Sequence, residues 1–572
     1  MQYFLTLSWD ILVILQFFIP LFNERLLWLG HYYSDAIAVP ITNFIIFVVG
    51  LLIHQFTSQG LKTSLVYQVL NGLWKGWKNQ LARNPWLPLT TAWLANGALW
   101  AISSLKRHYN LRSSYDLGIF TQTLWNLTHG YGYHTSLKHG ANLFSDHVSP
   151  LLCIFAPLYR ISPYPETLLI LQAFGLTAGG VAVFYLVRSY GQENGRIGWE
   201  AALAPWVYWL YFPVRNANCF DFHPEVFMLP LFLWGAVGVY SKQKLHKSLA
   251  VFALFLSMGA KESAPLVAVG IGLAWVVGAA PLHARHFTRR LGVVLCGLGM
   301  FGFWFDVQVV PTFFNKYYAY NRLYSGFGEN LSDWVVNILR NREVLAPYLW
   351  NPARKEFFVA TLAPLGFLPL LNISALPAIL PGYLMVFLTK GDWFVTIRYH
   401  YAIEAAVGLF FSLGGAFVAL RFLSKRFGKL WAGFESVPKL WLVFFCLSYV
   451  GHTEFDRIRE IKSSPHAHWI RHEVIPCINP TVAIAAPEGL MPQLTSRYWS
   501  VRLPDVALSG GRFVDCAIFD AQVKQLSINT SQAEEIKHKL ERQGYSVQYS
   551  CGSFSVYGKE AACMICQPKC SL

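Results

Sequence analysis

Five groups of polar residues interrupt an otherwise apolar chain, and their types set what chemistry it could do. "RSSYDLGIFTQTLWNLTHGYGYHTSL" (112–137) carries Tyr115 and Asp116 just after an apolar run, and "NLFSDHVSP" (142–150) carries Asp146 and His147. Each acid is either a solvated loop residue or helix cap or a group placed to accept a proton. In "NCFDFHPEVF" (218–227), Asp221, His223 and Glu225 alternate, so an extended segment would set all three on one face. Such a triplet could hold a divalent cation or a pyrophosphate-bound water; equally, Pro224 could open a helix with Glu225 in its favourable first turn. Lys261 and Glu262 break an apolar run at "AKESAP" (260–265). Charges at such depth are costly and normally face a cavity or each other, but neighbours on a helix point different ways. Arg398, His400 and Tyr401 open the run at "RYHYAIEAA" (398–406), as an interfacial anchor or as an anion-binding group.

The elements that must carry these residues follow from composition. The 572 residues are 54% hydrophobic and only 13% charged, about half the charge of an ordinary soluble protein. Too few ionic groups remain to coat a globule, so lipid is the expected solvent for most of the chain. The 16% aromatic content fits membrane interfaces, where an apolar ring with a polar edge is at home. The net charge of +15 comes from short loops between apolar runs, which argues against nucleic acid.

A spanning helix needs about 20 mainly apolar residues. Candidates fall near 4–22, 36–54, 88–105, 166–188, 198–213, 224–241, 291–311, 399–420 and 437–451. Two longer runs, 248–280 and 356–388, read as hairpins broken at "AKESAP" and at "LNISALP" (371–377). The expectation is an α-helical polytopic membrane protein of roughly thirteen spans. The first run carries Asp10 and shows no small-residue cleavage site, which fits a span better than a secretory peptide.

Cations orient the bundle. The loops 55–87, 242–247, 285–290 and 421–429 each carry three or four lysines and arginines and fall on one side, expected to be cytoplasmic. The long segments 106–165, 214–223, 312–355, 389–398 and everything beyond 451 then lie outside, with all five polar groups at that face. After about 465 the apolar density drops. "TVAIAAP" (481–487) and "DCAIFD" (515–520) read as buried strands, and "SQAEEIKHKLERQGYSVQYS" (531–550) as a helix, a Gly stop and a strand. The domain expectation is therefore 1–87 as two extra helices and a cytoplasmic amphipathic linker, 88–455 as the main membrane domain, and 465–572 as a small extracytoplasmic α/β domain. The tail thiols Cys563, Cys566 and Cys570 have metal-like spacing without a second cluster, so a disulfide or an unstructured end fits better.

"YDLGIFTQTLWN", "DHVSPLL", "FHPEVFMLPL", "KESA" and "YHYA", in this order, resemble a bacterial membrane-protein family known as domain of unknown function 2079. That family is similar in layout to the glycosyltransferase-C superfold, and the resemblance covers about 88–420. It implies a polytopic transferase that takes a sugar from a polyprenyl-phosphate-type lipid donor in the plasma membrane. The acidic residue that the superfold carries in its first long external loop matches Asp116. On that basis Asp116 is the expected general base toward an acceptor hydroxyl, with inversion at the anomeric carbon if attack is direct. Arg398 and Lys261 would stabilise the departing phosphate, with Lys106 or Arg107 as weaker candidates. Tyr115, Asp146, His147, His223, Glu262, His400 and Tyr401 would bind substrate, and Asp221, His223 and Glu225 could hold a divalent cation. The competing readings are a transporter or flippase of lipid-linked sugars, and a non-catalytic envelope assembly protein. Loss of Asp116 would matter little to an assembly protein.

Overall fold

In lipid every backbone N–H and C=O must be satisfied within its own segment, and apolar runs of this length therefore form helices. The computed structural model describes residues 65–138, 141–191, 198–314, 323–328, 331–340, 342–349, 351–427, 461–508, 510–523, 529–559 and 563–570. The expected spans near 4–22, 36–54 and 437–451 lie outside these residues. Among the described residues, three helices are long and apolar enough to cross a membrane: Pro165–Tyr190, Leu282–Phe314 and His400–Leu423. Leu152–Ile161, Pro224–Tyr240, Ala264–Val276 and Ile373–Phe387 are shorter apolar helices.

The expected spans 88–105, 166–188 and 291–311 fall inside observed helices, and 224–241 and 399–420 match helices to within one residue at one end. The run 198–213 splits at Tyr211 into Trp199–Leu210 and Phe212–Phe220, where Pro213 has no N–H to offer an earlier carbonyl. Both hairpin breaks are present. Residues 259–263 separate Lys244–Met258 from Ala264–Val276, and 363–375 separate Pro352–Leu362 from Leu376–Phe387.

Burial sorts the helices. The most apolar window of His400–Leu423 is 83% buried, while that of Leu282–Phe314 is 22% buried and leaves Val293, Leu298, Phe301 and Trp304 exposed. The first is the centre of the bundle and the second a lipid-facing flank. Close packing at the centre depends on small residues. A Cβ on Gly382 would meet the backbone of Ala405, and one on Gly408 the backbone of Ala378 and Ile379, so these two helices touch main chain to main chain.

Beyond residue 461 the chain builds a five-stranded sheet in the order Ser500–Arg502, Ile484–Ala486, Cys516–Asp520, Phe554–Gly558, Ser546–Cys551. A short pair, β1 (His134–Thr135) and β2 (Ala141–Asn142), precedes it in the first long loop. Strands β3 (Ile484–Ala486), β4 (Ser500–Arg502) and β5 (Cys516–Asp520) run parallel; β6 (Ser546–Cys551) and β7 (Phe554–Gly558) add antiparallel strands. All five residues of β5 are buried, as a strand covered on both faces requires. The helix Thr530–Arg542 opens with a capping box between Asn529 and Gln532 and stops before Gly544, whose φ is +85°. Disulfides join Cys477–Cys566, Cys516–Cys563 and Cys551–Cys570 and fasten the tail to the sheet.

This C-terminal part is packed onto the membrane helices. One apolar core runs from Trp100 and Leu117 through Leu490, Met491 and Ile518. At the seam, the fully buried Gln122 donates to the carbonyls of Arg497 and Tyr498 at 3.3 and 3.0 Å. Ser136 and Ser500 exchange hydrogen bonds of 2.6 and 2.8 Å.

Candidate functional site

The break at 259–263 exposes polar backbone that the surrounding loops must satisfy. Leu151 N donates to Gly259 O at 2.9 Å and Ser149 Oγ to Ala260 O at 3.0 Å, so the 146–151 loop is stitched to the break. From this anchored turn Lys261 and Glu262 diverge. Glu262 Oε2 accepts from Val148 N at 3.1 Å, and its Oε1 lies 3.4 Å from His147 Nδ1. Lys261 Nζ lies 3.3 Å from Glu225 Oε1 and 3.9 Å from Glu404 Oε1. Glu404 also accepts from Ser263 Oγ at 3.1 Å.

Glu225 is a shared acceptor. His400 Nε2 approaches the same Oε1 to 3.2 Å, and the His400 and His223 rings stack with centroids 3.9 Å apart. His223, Glu225 and His400 are all buried, each with a ligand atom within 4.8 Å of the others. The buried His400 Nδ1 has no hydrogen-bond partner among the described residues. Two imidazoles and a carboxylate form a set that holds zinc-like cations in open sites.

Asp221 departs from the alternating pattern. Residues Pro224–Phe227 form a 3-10 turn and the strand-like face is lost. Asp221 instead accepts from Ser114 N at 2.6 Å and lies 3.6 Å from Arg107 Nη1. Burial pushes its carboxyl above the ordinary range despite that guanidinium. The residues that could hold a cation are therefore His223, Glu225 and His400, while Asp221 ties down the start of an earlier helix.

That helix, Tyr115–Thr128, is capped by Ser114, whose Oγ accepts from Asp116 N at 3.2 Å and donates to Asp116 Oδ2 at 3.1 Å. Asp116 is a first-turn acid, not the cap. It is half-buried, and its charge acts on Tyr115, Lys138, Asp221 and Tyr401. Asp146 forms a 2.6 Å ion pair with Lys138 and lies 3.8 Å from His147. Burial alone would lower the Lys138 ammonium, but Asp146 outweighs it and holds it above its usual value. Burial opposes the His147 charge in the same way, and Glu262 and Asp146 overcome it.

Of the expected residues, Lys261, Glu225, His223 and His400 meet in one buried cluster. Glu262, His147 and Asp146 form its continuation, with Asp116 and Tyr115 further out. Arg398 is exposed while the Lys261 side chain is only 13% exposed and lies beside Glu225 and Glu404, so Lys261 is the cation inside the cluster. Tyr401 packs against Phe394 and Tyr399. Glu404, Gln172 and Lys138 were not anticipated. Gln172 accepts from His223 N and donates to Asp221 O, at 2.9 and 2.8 Å. The readable signal for Glu404 and Gln172 is a polar residue inside an apolar run; Lys138 carries none.

No curated protein matches the sequence. Among solved structures, ArnT from Cupriavidus metallidurans bound to undecaprenyl phosphate is similar over 84% of this chain and 99% of its own, at 11% identity and a TM-score of 0.49. The DUF2079 family, described as a predicted membrane protein, matches residues 107–560, so its shared unit includes the C-terminal sheet as well as the membrane helices beyond residue 107. The chain belongs to the DUF2079 family.

Proposed function

We propose that this protein is a membrane glycosyltransferase that moves a sugar from a polyprenyl-phosphate-type lipid to an acceptor hydroxyl at the extracytoplasmic face of the plasma membrane. The observation that carries the reading is the gathering of Lys261, Glu225, Glu404, His223 and His400, from three distant segments, into one cluster, with Asp116 near enough that its charge and that of Lys261 both act on Tyr401. A lipid donor must keep its tail in the bilayer while its phosphate and sugar reach water, and a polar cluster at the mouth of a helix bundle meets both demands.

In this reading Asp116 takes the proton from the acceptor hydroxyl as oxygen attacks the anomeric carbon, and the bond to phosphate breaks with inversion. Lys261 meets the negative charge that builds on the departing phosphate. His223, Glu225 and His400 would hold a divalent cation, which would supply further electrostatic stabilisation when bound. The extracytoplasmic assignment is supported by the three disulfides of the C-terminal part, since disulfides persist in oxidising compartments.

The test is Asp116→Asn in purified protein supplied with labelled polyprenyl-phosphate sugar. The variant should insert and fold normally yet lose about 10²–10⁴-fold in transfer rate. Wild-type turnover would remove Asp116 as base.

A further inference from the structure

The C-terminal sheet delivers a guanidinium to the outer rim of this cluster. Arg502 ends β4, which pairs in parallel with β3, and ligands of such sheets gather beyond the carboxyl ends of the strands. Its guanidinium carbon lies 4.0 Å from the centroid of the Tyr115 ring, and Lys138 Nζ lies 6.0 Å from the same centroid. Tyr115 immediately precedes Asp116. The two cations are not equivalent. Lys138 is already committed to Asp146 at 2.6 Å, whereas no hydrogen bond or ion pair joins the Arg502 guanidinium to a described residue. The strand that carries it is held by Ser136 and by β3, and the segment leading into it by Gln122 and by the Thr495–Thr121 hydrogen bond of 3.0 Å. A half-buried Arg on a fixed strand, with one face of its guanidinium covered by Tyr115 and its donors uncommitted, is organised to grip an oxyanion in two places.

We infer that Arg502, with Tyr115, forms an acceptor subsite for a saccharide bearing a phosphate or carboxylate. The identity of the ligand as acceptor rests on the transferase reading; the oxyanion subsite itself does not. An acceptor held there would approach Asp116 from the water side, opposite a donor that enters from the bilayer.

The full-length protein in nanodiscs is titrated with glucose 1-phosphate, glucuronate and neutral glucose, and binding is followed by ligand-observed NMR. At least one anionic sugar should bind in preference to glucose, and the stronger of the two names the anion as phosphate or carboxylate. Arg502→Gln should weaken that binding about tenfold or more. Arg502→Lys, which keeps the charge and the fold but loses the planar fork, should fall between. Arg512→Gln, an exposed site in the same sheet region paired with Asp515, should bind as wild type. Equal affinity in wild type and Arg502→Gln, or glucose binding as tightly as both anionic sugars, overturns the subsite. Asp116→Asn separates the two proposals: full transfer by that variant removes the base, while its sugar binding still reports on Arg502.

Discussion

Glu225 receives two donors on one oxygen, and that crowding sets the chemistry of the cluster. Lys261 and His400 both approach Oε1, and His223 stacks on His400. A buried carboxylate between two imidazoles is either the acceptor of an ammonium or the ligand of a metal, and the two cations compete for it. The expected outcome is about one divalent metal per chain in wild type, measured by elemental analysis after dialysis. His400→Ala and His223→Ala should lose it, whereas Lys261→Met should keep or strengthen it because the competing charge is gone. Metal content unchanged in both histidine variants would leave Glu225 simply as the partner of Lys261. Periodicity pointed at Asp221 as the third ligand, but Pro224 opens a 3-10 turn and sends Asp221 to the Ser114 amide. His400, 175 residues after Glu225 (400 minus 225), is brought in only by folding.

Helix breaks do the positioning at the next scale. The turn at 259–263 is held by the 146–151 loop, and from it Lys261 and Glu262 reach different partners. Glu404 meets Lys261 because its helix lies directly on the helix Leu376–Phe387. The contact relies on Gly382 and Gly408, where a side chain would collide with neighbouring backbone rather than with a movable rotamer. Gly408→Leu should therefore push the helices apart and destabilise the fold by about 1–3 kcal/mol or more, seen as a lower melting temperature in detergent. It should also weaken metal retention, since His400 and Glu404 lie at the start of the displaced helix. A melting temperature equal to wild type would show that the packing has slack.

Across the whole molecule, membrane helices and C-terminal sheet share a core and a seam, and the family match spans both. The disulfides then bear on the orientation of everything else. Cys477, Cys516, Cys551, Cys563, Cys566 and Cys570 form disulfides, whereas Cys153, Cys219 and Cys296, within or beside apolar helices, do not. In intact cells, a cysteine introduced at exposed Glu541 should react with an impermeant maleimide, and one at exposed Lys75 should not. The reverse pattern would invert the topology. The sequence by itself determined the membrane class, breaks at 260–265 and 371–377 that the structure places at 259–263 and 363–375, and the strands and Gly-stopped helix after 481. Those features follow from local composition, Pro and Gly placement and short periodicities, which a single stretch of chain contains. Only the tertiary structure decided that His400 and Glu404 join Glu225, that Asp221 anchors a helix, and that Arg502 reaches Tyr115. Each of those depends on side chains far apart in sequence being driven together by burial, and no local pattern records which distant partner will satisfy a buried charge.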